Sequence, residues 1–94
     1  TIMAMGILGQ ITNNAAVDEI VYTVPAGKVA VFNIFASNAN GSTSGIVKIN
    51  GAAIATVGTL SDINIELKSI IGNAGTIVQF QGCTGIVTGY EEDA

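Results

Sequence analysis

Turn-forming residues interrupt this chain so often that no helix of useful length fits between them. Glycine alone supplies 12 of its 94 residues, against a usual share of ~7%. The runs between glycines are rich in Val, Ile and Thr, whose branching at Cβ suits a pleated strand better than a helix. Strands are expected near residues 2–11, 19–24, 28–37, 45–50, 52–57, 63–68, 75–81 and 84–91. The connections carry matching turn chemistry. Pro25 presets φ for a β-turn, with Gly27 two residues on. "NG" at 50–51 is a hairpin signal, because both central positions of that turn want φ > 0. "GNAG" at 72–75 reads as another turn, and "NANGSTSG" at 38–45 as a flexible loop. Short strands at this spacing predict an all-β fold: an antiparallel β-sandwich, jelly-roll-like, of about eight short strands. Ninety-four residues hold one core, so residues 13–94 are expected to form a single domain. Residues 1–12 are either an apolar N-terminal arm or the first strand.

Several strands alternate as a sheet with one wet face should. In "GIVKIN", Val47 and Ile49 face in while Lys48 and Asn50 face out. In "DINIELK", Ile63, Ile65 and Leu67 share one face. In "GTIVQFQG", Val78 and Phe80 oppose Ile77, Gln79 and Gln81. The strand "KVAVFNIFAS" does not follow this rule. One face carries Val29, Val31, Asn33 and Phe35, the other Ala30, Phe32, Ile34 and Ala36. A two-layer sandwich has no third layer to cover the second apolar face. That face is therefore expected to meet another subunit, through Phe32 or Phe35 but not both, since they point opposite ways.

Charge supports the same expectation. Asp, Glu, Lys and Arg make up 11% of the chain, against about 25% in a typical soluble domain. There is no Arg, His or Trp, and the cations are Lys28, Lys48 and Lys68. A surface so poor in charge suits a subunit largely covered by copies of itself or by a scaffold. The net charge of −4 and three scattered lysines exclude a phosphate-tracking stripe, so no nucleic-acid partner is expected. No apolar run reaches the ~18 residues of a membrane-spanning helix. The opening "TIMAMGILGQI" lacks a basic leading region and an A-x-A-like cleavage site, so neither a membrane anchor nor a secretory signal is expected.

The residues for catalysis are also missing. Without His the commonest general base and metal ligand is absent. Cys83 lies in the uncharged "FQGCTGIV" and is expected to be a small buried apolar residue rather than a nucleophile. Asp18 and Glu19, and likewise Glu91, Glu92 and Asp93, are adjacent carboxylates, and neighbours on a strand point to opposite faces. They read as a solvated strand start and a polar tail. "GSTSG" at 41–45 lacks the Lys-Ser/Thr ending and following helix of a phosphate loop. "NGS" at 40–42 fits a glycosylation sequon without a secretion signal to support it. Glycan binding by a sandwich asks for exposed aromatics; Tyr22 and Tyr90 are the candidates, and Tyr22 in "IVYTV" reads as core. No enzyme activity, catalytic residue, cofactor or metal is expected; Asp62 and the 91–93 cluster would be the first places to look for a cation.

Three segments, "VYTVPAGKVAVFNIFASN", "INIELKSIIGNAGTIVQFQG" and the closing "GIVTGYEE", occur here in that order. They resemble small bacteriophage virion proteins whose pattern runs "LYTVPAGKTA", then a strand-and-turn element "L…GD.I.V", then a last strand ending "V.GYEE" or "V.GVEE". The resemblance covers roughly residues 19 to 92 and departs at Thr76, where an acidic residue often follows the glycine. It implies a β-sandwich on the virion: a head decoration (cement) protein, typically trimeric, bound to itself and to the major capsid protein on the capsid surface. The alternative it leaves open is a tail or fibre subunit, an adhesin-like host-recognition module whose loop 38–45 would meet a host glycan. In either case the apolar start of the chain, with Ile2, Met3, Met5, Ile7 and Leu8, is expected to pack on a neighbouring subunit. Two methionines and two glycines make it adaptable to another surface.

Overall fold

The computed structural model describes residues 2–12, 18–38, 44–59 and 63–94, and of residues 2–5 the backbone alone. Most of loop 38–45, the sequon's Ser42 and the carboxylate of Asp62 lie outside the described residues. The strands are β1 (Ile2–Ile11), β2 (Glu19–Thr23), β3 (Lys28–Ser37), β4 (Gly45–Ile49), β5 (Ala52–Val57), β6 (Asn64–Asn73), β7 (Ile77–Gln81) and β8 (Thr84–Asp93). They form two four-stranded sheets, β1-β8-β3-β6 and β2-β7-β4-β5. Every strand pairing is antiparallel. Strands β1 and β8, β2 and β7, β3 and β6, β4 and β5 are hydrogen-bonded neighbours. A long antiparallel ribbon folded over itself produces this nesting, and it is the strand order of a jelly roll.

The core lies between the sheets. Ala30, Phe32, Ile34 and Ala36 of β3 are fully buried, facing Val47, Val78 and Phe80 of the other sheet. The alternation read in β4 and β7 holds, with Val47, Val78 and Phe80 inside. Cys83 is buried in the same cluster, its thiol donating to the Ile46 carbonyl at 3.8 Å. Burial pushes that thiol's pKa up, the opposite of what a reactive cysteine needs. The hairpin at Asn50-Gly51 has φ of 52° and 82°, the mirror-image turn its sequence asks for. Asn50 also accepts the Ile77 N–H through Oδ1 at 2.9 Å, tying the β4–β5 turn to β7.

One boundary differs from expectation in an instructive way. Strand β6 runs to Asn73 rather than stopping near 68. Phe32 pairs with Ile70 but Ile34 pairs with Leu67, so Asn33 alone faces both Lys68 and Ser69. This is a β-bulge, with Ser69 at φ 59° and its N–H donated to Oδ1 of Asn33 at 2.9 Å. The extra residue shifts the alternation by one. Ile65, Leu67 and Ile70 pack on the core, while Ile71 points outward and is exposed. A period-two pattern broken in this way reads in the sequence as the end of a strand.

Candidate functional site

The two outer faces of the sandwich differ in character, and the difference follows from which residues alternate outward. On the β2-β7-β4-β5 sheet the outward positions include Thr23, Gln79, Gln81, Lys48 and Thr56, with Ile20 and Ile54 the exposed large apolar side chains. Lys48 is paired with Asp18 at 2.5 Å. Ile46 and Ile77 alternate outward here too, half-buried, so this face mixes isoleucines with amides, hydroxyls and an ion pair.

The outer face of the β1-β8-β3-β6 sheet carries larger exposed apolar side chains, set among a few polar ones. Strand register sets its rows. Tyr90, Val31 and Ile71 line up across β8, β3 and β6. The next row is Ile7, Thr88 and Asn33, ending at the β6 bulge. A third row holds Gln10, Ile86, Phe35 and Glu66. Ile71 is 71% exposed, Ile7 62% and Phe35 46%, and Val31, Ile86 and Tyr90 are half-buried beside them. Charge lies at the margins of the face: Glu92 stands opposite Val29 at one end, Glu66 opposite Phe35 at the other, and Lys68, 3.7 Å from Glu66, on the edge strand at the bulge opposite Asn33. Bulk of this kind on a monomer's surface marks an interaction site more often than chance.

The residues expected to meet a partner separate clearly. Phe35 and Ile7 lie on this outer face. Phe32 is fully buried, a correction to its place among the candidate contacts, because its side of β3 is the side packed on the other sheet. Leu8 is corrected too. It is the extra residue where Ile7 pairs with Thr88 and Gly9 with Val87, and it packs against the domain's own core. Ile2, Met3 and Met5 lie on β1, whose backbone pairs with β8 from Ile2–Glu92 to Ile11–Gly85. The opening segment is thus the first strand of the sandwich rather than an arm leaving it.

Asp18 and Glu19 are exposed at the start of β2, the solvated strand start expected, but the second acidic cluster is not a tail. Glu91 and Asp93 belong to β8. The Tyr22 hydroxyl, on the other sheet, donates to Oε2 of Glu91 at 2.6 Å, and Lys28 meets Asp93 at 2.5 Å. The Ala94 N–H donates to the Gly27 carbonyl at 2.9 Å. Thus "YTVPAGK" and "GYEED", far apart in the chain, close one end of the sandwich against each other. Lys28 holds the Asp93 carboxyl below the usual carboxylate range, although an exposed pair of this kind adds little stability. Among the described residues no three His, Cys, Asp or Glu side chains converge, and no helix is long and apolar enough to cross a membrane.

Tyr22 is buried, its ring edge-on to Phe32 at 5.8 Å. Burial, then the hydrogen bond to Glu91 and that group's charge, hold its phenol well above the ordinary tyrosine pKa. A raised pKa means stability that is complete below the unfolded value of about 10 and declines as pH rises past it. Tyr22→Phe is therefore expected to cost about 1 to 2 kcal/mol at neutral pH, near the lower range for a hydrogen bond to a charged group. Urea unfolding at pH 7 and pH 11 checks both parts. The variant's deficit should shrink at the higher pH.

The chain matches no family model, and no curated protein or solved structure is similar to it at a significant level.

Proposed function

We propose that this chain is a non-enzymatic structural protein of a bacteriophage particle, a decoration or cement protein that stabilises the head through subunit–subunit contacts. The observation that carries the reading is the apolar outer face of the β1-β8-β3-β6 sheet on a chain with only 11% charged residues. A small domain that keeps isoleucine and phenylalanine on one outer face is suited to being covered by protein. The virion setting is what the resemblance of "YTVPAGK" and "GYEE" adds. Each contact in such an assembly is weak, and repetition over a lattice makes the sum large. The partners are further copies of the chain and the major capsid protein, on the capsid surface.

Copy number tests this reading directly. Quantitative mass spectrometry of purified particles should find hundreds of copies per particle. A handful would place the protein on the tail and overturn the decoration reading, and absence from particles would overturn the virion reading altogether.

A further inference from the structure

We infer that the outer face of the β1-β8-β3-β6 sheet is covered by the same face of a second copy of this chain, stacked about a two-fold axis that runs across the strands. This deepens the assembly reading and rests on it for its purpose, although the pair itself needs no particle to form.

Three observations select a second copy. The first is area. Four ten-residue strands at ~3.3 Å per residue and ~4.8 Å apart span roughly 600 Å² of sheet face. Side chains raise the accessible area above this flat footprint, which brings it close to the ~800 Å² per partner of a standard interface. One face thus suffices for a complete contact.

The second is shape. The face is a single patch on a sheet, and sheets stack face to face at about 10 Å, their strands within ~30° of alignment. A patch that meets itself makes a closed two-fold pair, whereas a ring of three needs two different patches on each copy that fit each other. The face offers one. The inference therefore replaces the trimer that the resemblance implies with a dimer of four stacked sheets.

The third is charge. The chain carries −4, so two copies repel except where the contact is neutral. The row through Tyr90, Val31 and Ile71 holds no charged residue, and in the row through Ile7, Thr88 and Asn33 the charge is Lys68 at the β6 bulge, on the edge strand. An axis along the strands would set the Glu92 ends of both copies side by side. An axis across them reverses one copy, so the end with Glu66 lies over the partner's Glu92 end. Lys68, at the β6 bulge and 3.7 Å from Glu66, offsets part of that carboxylate's charge where the two ends meet.

Sedimentation velocity on the purified chain tests the inference without any particle present. The wild type should sediment as a dimer of the 9.5 kDa chain. Ile71→Asp and Phe35→Asp should both be monomeric while keeping the wild-type circular dichroism spectrum. Ile20→Asp, on the outer face of the other sheet, should remain dimeric. A wild type monomeric at millimolar concentration overturns the inference. So does a trimer, or a dimer that survives Ile71→Asp but is lost in Ile20→Asp. A dimer that forms as described but is absent from particles leaves the interface standing and removes the decoration reading, so the two fail separately.

Discussion

Phe32→Asp is expected to leave no folded protein, whereas Phe35→Asp, three residues along the same strand, should leave the sandwich intact. Phe32 is fully buried, with its ring against Tyr22 at 5.8 Å. Replacing it removes the ring from the core and places a carboxylate among Val, Ile and Phe side chains. Truncating a buried phenylalanine already costs about 3 to 5 kcal/mol, and an unpaired buried charge adds more. A domain of this length is stable by about 5 to 14 kcal/mol, so most or all of its stability is lost. Phe35 faces outward between Ile86 and Glu66, where a carboxylate stays in water. Circular dichroism and a thermal melt separate the two variants. Cooperative melting of Phe32→Asp near the wild-type temperature would mean that β3 presents its other face to the core.

That contrast also marks what the sequence can and cannot reveal. The alternation of Phe32 and Phe35 establishes that they lie on opposite faces, and the all-β sandwich follows from strand number and turn chemistry. Which face is inside does not follow, because both are apolar; the partner strands decide it. Asn33 shows a different limit. As the polar exception on its face it has no visible purpose in the sequence. In the fold it accepts the Ser69 N–H at the β6 bulge, and that bulge turns Ile71 outward. A bulge adds one residue to a period of two, so it erases the very signal by which a strand is recognised. The apolar outer face was legible through Val29, Val31 and Phe35 of β3 and through Ile7. Ile71 was hidden behind the bulge, and Tyr90 and Ile86 become part of the face only once β8 is known to lie between β1 and β3.

Deleting residues 1–9 is expected to unfold the chain rather than release a soluble sandwich. Had the segment been an arm, its loss would cost binding alone. As β1 it pairs with β8 from Ile2–Glu92 through Gly9–Val87 within the deleted stretch, and Leu8 packs on the core. Each net backbone hydrogen bond is worth about 0.5 to 1.5 kcal/mol, and burying a leucine about 1.5 to 3 kcal/mol. Several such bonds and Leu8 together reach at least the lower part of the stability range of a domain this size. The deletion also bares "TGIVTGYEE" of β8 as a new, long edge, and an unprotected edge of that kind invites pairing between chains. The truncated protein should therefore aggregate or show the collapsed amide dispersion of an unfolded chain in a proton–nitrogen correlation spectrum. A dispersed spectrum would restore the arm. The reason the sequence left this open lies in the register: shifts between Ile2 and Ala4 and between Ile7 and Gly9 break the alternation twice in ten residues. A strand bent to follow the edge of its own sandwich carries the same pattern as a segment shaped to another molecule, and only the pairing with β8 tells them apart.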